Sequence, residues 1–290
     1  MNKLLLIPVL TSLIWVSCDE EPPPVRFTDP EKPLLDTVYS GIAPAPDPKA
    51  ILLMDITGVG CSNCPDAAVL AKNIQSSNPG RVNILAVYPF IFPNHPLTNP
   101  KAGYDTLAND DAEGLVTNLG SIVGLPTGII DQIKSGGSPF IAPSTWAGIV
   151  TSRLSQTSPA NIELLSKWLT ADNKGRLEIK VKYHQNLPAG TKNLLYIGIT
   201  EDNIVGKQAH KDSSGGYAYK YKFSHVLRKL LTPVTGDTLK EIPSAGKVFE
   251  KHYFINPRYN WKPDNLNAMV WIVDASTKEI LQSAEVKLKP

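Results

Sequence analysis

The stretch Ile51-Leu52-Leu53-Met54-Asp55-Ile56-Thr57-Gly58-Val59-Gly60-Cys61-Ser62-Asn63-Cys64-Pro65 decides how the first half of the chain is read. A short unbroken apolar run such as Ile51 to Met54 suits a strand covered on both faces. Behind Cys64, residues Ala67, Ala68, Leu70, Ala71 and Ile74 recur at helical spacing, with Pro65 in a first turn that tolerates its missing N–H. Strand, loop, Cys-x-x-Cys and helix is the order that thiol chemistry uses, because a helix N-terminus supplies free N–H groups and a positive dipole end that stabilise a thiolate. This order predicts Cys61 as an exposed attacking thiol and Cys64, one turn deeper, as a buried resolver. Two other readings stand beside it: an inert disulfide formed in an oxidising compartment, and half of a zinc site. For zinc, the histidines His95, His184, His210, His225 and His252 supply no second cluster at ligand spacing, and neither a metal nor a cofactor is expected.

Upstream, residues 1–18 have a basic start at Lys3 and an apolar run from Leu4 to Val16 broken by Pro8, Thr11 and Ser12, then Ser17-Cys18. This is a secretory signal shape, and its run of about 13 residues falls short of the roughly 20 needed to span a bilayer. The small residue before a cysteine resembles the bacterial lipobox, with Trp15 standing where that motif carries Leu, Val or Ile. The resemblance implies a lipid attached at Cys18. Asp19, Glu20 and Glu21 are similar to the surface-export signals of Bacteroidetes-type lipoproteins, which implies the outer membrane. Residues 19–48 hold eight prolines and read as an extended tether.

Downstream, Val82 to Tyr88 reads as a second buried strand, residues 105–119 as a helix after a Pro-rich loop, and residues 143–156 as an amphipathic helix. From there the pattern turns to alternation. Leu177-Glu178-Ile179-Lys180-Val181-Lys182-Tyr183 is a period-two strand, and further strands are expected at 160–170, 193–202, 247–255, 268–275 and 279–288. Their spacing and turn residues fit an antiparallel sandwich. Tyr217, Tyr219 and Tyr221, interleaved with Lys220 and Lys222, read as one strand with a tyrosine face and a solvated lysine face; the same alternation suits a glycan, peptide or acidic-polymer contact. Ser224-His225 is no hydrolase pair, since adjacent strand side chains point to opposite faces.

The 290 residues, 42% apolar and 19% charged, are enough for two domains and exclude a disordered tail. With 29 basic against 27 acidic side chains, no field argues for nucleic acid. The charge is divided unevenly: residues 1–157 hold nine basic and fourteen acidic groups, and residues 158–290 hold twenty and thirteen.

The first half resembles the thioredoxin superfamily, with Asp55 six positions before Cys61, the Cys61-Ser62-Asn63-Cys64 motif, and Gly124-Leu125-Pro126-Thr127 further on. That resemblance implies a cis Pro126 facing the cysteine pair, a Leu125-Pro126-Thr127 segment that positions an extended substrate, and Asp55 as a buried carboxylate relaying a proton for Cys64. Taken without it, Asp55 also reads as a strand-end residue and Pro126 as a trans turn proline. Gly60 replaces the superfamily's usual Trp, and Ser62-Asn63 its Gly-Pro. Nearly the whole chain is similar to the outer-membrane-protein-28-related lipoproteins of Bacteroidetes, through Cys18, Thr57-Gly58-Val59-Gly60-Cys61-Ser62-Asn63-Cys64-Pro65 and His225-Val226-Leu227-Arg228. The expectation is therefore an α/β thioredoxin-like domain over 49–157 followed by an all-β antiparallel sandwich over 158–290, behind a signal at 1–18 and a tether at 19–48. The expected activity is thiol-disulfide exchange with an envelope protein or peptide, on a membrane-anchored chain with no nucleic-acid partner. The alternative is a non-catalytic binding or adaptor lipoprotein in which Cys61–Cys64 is structural.

Overall fold

A computed structural model describes residues 35–90 and 107–289. The signal segment, Cys18, the first part of the tether, His95 and most of the loop expected at 89–104 lie outside these residues. In chain order the elements are β1 (Thr37–Ser40), β2 (Ile51–Ile56), α1 (Cys64–Ser77), β3 (Val82–Val87), α2 (Asp110–Leu119), β4 (Thr127–Ile130), α3 (Trp146–Leu154), β5 (Ala160–Leu169), β6 (Lys174–Tyr183), β7 (Asn193–Glu201), β8 (Ile204–Ala209), β9 (Tyr217–Phe223), β10 (Val226–Leu230), β11 (Asp237–Thr238), β12 (Lys247–Ile255), β13 (Leu266–Asp274) and β14 (Ile280–Lys287). The fold is β-rich with few helices. No helix among the described residues is long and apolar enough to cross a membrane.

The helices begin later than the periodicity suggests. Asn109 caps α2 by accepting a hydrogen bond from the Ala112 N–H at 3.0 Å, so Leu107 and Ala108 stay outside the helix. A short 3-10 turn, Pro143–Thr145, precedes α3.

β2 and β3 are parallel neighbours joined by the crossover helix α1, and every residue of both is buried. β4 lies antiparallel on the other side of β2. The sheet continues past β3 in the order β14-β13-β7-β10-β3-β2-β4, with β10 parallel to β3 and antiparallel to β7. Strands from both sides of residue 157 thus share one sheet, and the described residues fall in one compact unit.

Side-chain alternation divides this sheet's surroundings. Leu52, Met54, Leu85, Tyr196, Leu227 and Trp271 belong to one apolar layer packed with Ala112, Leu115 and Val116 of α2. On the opposite face, Ile51, Leu53 and Ile84 pack against α1 and α3. Further along that face, Leu195, Ile197, Ala268 and Val270 meet Leu177, Ile179, Val181 and Phe249 of a second sheet ordered β1-β12-β6-β5. This is the sandwich, built on the far half of the long sheet. In β6 burial alternates along the whole strand, as the period-two pattern requires.

A buried ionic cluster ties the helical side to the last strand. Asp131 Oδ2 lies 3.1 Å from Lys49 Nζ and 3.0 Å from Arg153 Nε, while Oδ1 accepts the Leu52 N–H at 3.0 Å. Lys49 also donates to the carbonyls of Ile280 and Leu281 of β14 at 2.8 Å. Paired and hydrogen-bonded in this way, the charges are compensated in a site where a lone one would be costly.

Candidate functional site

β2 ends at Ile56, and the chain turns through Gly58–Asn63 before α1 begins at Cys64 with Pro65 in its first turn. Cys61 and Cys64 are joined by a disulfide with Cα atoms 5.4 Å apart. Cys61 is only 3% exposed and Cys64 2%, so the exposed attacking thiol expected at Cys61 is covered in the folded protein.

The antiparallel β8–β9 hairpin is fastened to the loop that carries Cys61. Gln208 Nε2 donates to the carbonyls of Cys61 at 2.9 Å, Ala209 at 3.0 Å and Gly58 at 3.1 Å. The Ala209 N–H donates to the Val59 carbonyl at 2.8 Å, and the Lys211 N–H to the Ser62 carbonyl at 3.2 Å. On the outside, Lys211 Nζ lies 3.1 Å from Asp66 in the first turn of α1. Nothing local in the sequence marks this clamp, because its partners are some 150 residues apart.

Asp55 stands on the α1 side of β2 and is 3% exposed, with Oδ1 lacking a hydrogen-bond partner. Burial pushes its carboxyl up to about 7. Across the ladder, Asp55 faces Gly128 and Ile56 faces Thr127. Leu125 and Pro126, just before β4, therefore sit at the sheet end from which the cysteine loop emerges. The Leu125–Pro126 bond is cis. The Thr127 hydroxyl donates inward to the Ile141 carbonyl at 3.2 Å, and Leu125 packs against the α2-side core.

A cavity of about 480 Å³ opens beside α1. Asp55, Tyr88, Tyr221, Phe223 and His225 line it, with Lys72 among its walls. His225 opens the His-Val-Leu-Arg stretch in the left-handed region at φ 56°. Its N–H donates to Asp202 Oδ1 at 2.7 Å, and its carbonyl accepts the Ala86 N–H at 2.9 Å. Burial disfavours the His225 imidazolium, but the Glu285 and Asp202 carboxylates outweigh that and hold its pKa above the ordinary value. Val226 and Leu227 are fully buried in two different apolar clusters. Arg228 Nε lies 3.2 Å from Glu201 Oε2 in a buried ion pair, with its guanidinium 5.6 Å from the Trp261 ring centre. The His-Val-Leu-Arg stretch is thus the start of the strand that joins the two halves of the sheet.

Among the described residues, Glu178, Glu250 and His252 bring ligand-type atoms within 4.8 Å of one another. Lys180 Nζ sits 2.9 Å from Glu178 and 3.6 Å from Glu250, so an ammonium already supplies the positive charge there.

The family described as outer membrane protein Omp28 matches residues 117–290. The chain belongs to the Omp28 family. Membership places it at the outer membrane. No curated protein matches it. Among solved structures it is similar to HBP35 of Porphyromonas gingivalis, at 16% identity and a TM-score of 0.61 over 86% of this chain and 77% of that one. A protein from Agrobacterium tumefaciens aligns at 14% identity and a TM-score of 0.50, over 84% of this chain and 96% of its own. A domain of the outer membrane lipoprotein Omp28 from Porphyromonas gingivalis aligns at 16% identity and a TM-score of 0.29, over 46% and 90%. For the first two, the likeness is one of fold.

Proposed function

We propose that this Omp28-family chain is a lipid-anchored outer-membrane protein that binds an envelope protein, peptide or smaller ligand, with Cys61–Cys64 serving as a brace. The observation that carries this reading is the cover over the disulfide. Thiol-disulfide exchange needs in-line access of a thiolate to one sulfur, yet both cysteines are buried and the Gly58–Ser62 loop is held by hydrogen bonds from Gln208, Ala209 and Lys211. Attachment at Cys18 is part of the same reading, and a mature N-terminus beginning at an acylated Cys18 in mass spectrometry tests it.

The test of the brace is equilibration of the folded protein in defined thiol-disulfide buffers. A reduction potential below about −300 mV is expected of a structural disulfide. A value between roughly −120 and −270 mV belongs to exchange catalysts and overturns the reading.

The second reading is exchange behind a hairpin that must lift, and Asp55 favours it. A carboxyl that titrates at about 7 at this end of β2 suits proton transfer to a resolving thiol. The β2-α1-β3 unit, with β4 antiparallel to it, would then be a working thioredoxin-like site, with Cys61 as attacker, Cys64 as resolver and Leu125-Pro126-Thr127 beside the substrate. Cys64→Ser tests it: exchange requires that this variant accumulate a mixed disulfide through Cys61 with an oxidised partner.

A further inference from the structure

We propose that the cavity beside α1 binds a small organic cation, a ligand with an ammonium group on an apolar or aromatic body, whose N–H donors meet Asp55 Oδ1. This deepens the binding reading above and rests on it. The volume of about 480 Å³ falls within the usual range of ligand pockets, roughly 300–1,000 Å³. The space exists because Ala68 and Ala71 of α1 and Ala86 of β3 line it with methyl groups where larger side chains would fill it.

Asp55 supplies the polar anchor. Its Oδ1 is buried and has no hydrogen-bond partner, an arrangement that costs free energy until a donor arrives. Next to it the wall is aromatic: Phe223 meets Tyr88 edge-on at 6.0 Å and Tyr221 at 4.8 Å between ring centres. A carboxylate beside aromatic rings is suited to an ammonium, which gains from both the charge and the ring quadrupoles.

The placement of charge selects a cation over an anion. Lys72 and Lys222 are exposed, whereas the interior group is a carboxyl. The His225 imidazole lies 3.8 Å from Asp202 and 3.9 Å from Glu285, so its positive charge is already faced by two carboxylates. An anion passing the lysines would meet Asp55.

The titratable groups around Asp55 and its cavity are Lys72 of α1, Tyr88 just after β3, Asp202 after β7, Tyr221 and Lys222 of β9, and His225 before β10. β4, its partner across the ladder, brings none in Thr127–Ile130. The two tyrosines have their pKa values raised, first by burial and then by the Asp55 charge, and stay neutral. Asp55 gains its charge as the pH rises through about 7, and His225, held above the ordinary imidazole value, loses its own, so both changes favour a cation and Asp55→Asn separates them.

The experiment is calorimetric titration of the full chain with benzylamine, benzyl alcohol and phenylacetate at pH 6 and pH 8. Benzylamine should bind saturably, about tenfold tighter at pH 8 than at pH 6 as a group titrating near 7 ionises. Asp55→Asn should weaken it by about tenfold or more, and benzyl alcohol should bind correspondingly weakly. Ala68→Leu leaves every charge in place and narrows the space beside α1; it should weaken binding by about tenfold or more, and it decides the matter if Asp55→Asn fails to fold. The absence of saturable benzylamine binding, equal binding by Asp55→Asn, or a preference for phenylacetate overturns the proposal. None of these outcomes bears on the reduction potential, so failure of the ligand assignment and failure of the brace are separately visible.

Discussion

The side-chain amide of Gln208 donates to the carbonyl of Cys61 across 147 residues of sequence, at 2.9 Å. The same amide reaches Gly58, so one side chain holds both ends of the loop before the disulfide. Gln208→Leu removes the second hydrogen bond from each carbonyl, leaving them the Cys61 and Cys64 N–H groups at 3.1 and 3.3 Å, and should cost about 0.5–1.5 kcal/mol in urea unfolding for each bond lost. It should also speed reduction of Cys61–Cys64 by dithiothreitol under native conditions. A variant with parental midpoint and parental reduction rate would show that the cover does not depend on this amide.

Asp55 makes stability depend on pH with a definite sign. Its carboxyl is raised from 3.8 to about 7, so between these values the native state holds a proton that the unfolded chain has released. The linked stability is fully present below about pH 4 and lost as the pH rises through about 7. A shift of this size corresponds to about 4 kcal/mol. Asp55→Asn removes the dependence, so its unfolding free energy relative to the parent should improve by about that amount between pH 4 and pH 8. A difference that stays flat across this range would refute it.

Arg228 and Glu201 form a buried pair at the joint between the two halves of the sheet, and Glu201 Oε1 also accepts the Lys262 N–H at 2.9 Å. Arg228→Met removes the guanidinium facing a buried carboxylate and should destabilise by about 3–5 kcal/mol. Adding Glu201→Met should recover much of the loss in thermal unfolding, because it is the orphaned charge rather than the missing contact that costs most.

What could be read from sequence follows the range of the interaction. β2, α1, β3 and β6 were legible because apolar runs and period-two or helical spacing are local properties, and Cys61, Cys64 and Asp55 came with them. The burial of Cys61 is not legible in the same way, because the loop that carries it is held by Gln208 on a distant hairpin. The parallel pairing of Val226 with Ala86 joins strands some 140 residues apart, and no nearby pattern announces it. The tyrosine alternation of β9 was legible as a strand, yet its three rings have different surroundings. Tyr217 and Tyr219 are exposed with Lys207 Nζ 3.8 and 5.3 Å from their ring centres, whereas Tyr221 turns to the cavity. That difference comes from what the hairpin packs against.

Gly128 tests the packing that holds β4 beside Asp55. A Cβ there would lie 2.5 Å from the Trp146 ring atoms Cε2 and Cζ2. The indole has little room to retreat, since it is fully buried and its Nε1–H donates to the Ile141 carbonyl at 3.2 Å. The backbone is held as well, because Gly128 and Ile141 exchange two hydrogen bonds at 2.9 and 2.8 Å. Gly128→Ala should therefore destabilise by about 1–3 kcal/mol or more through overpacking alone. Combining it with Trp146→Phe, which shortens the ring system at the point of conflict, should make the alanine less costly than it is beside the parental indole. Equal cost in both backgrounds, measured by urea unfolding, would mean that the strain lies in the β4 backbone and not in the contact with the ring.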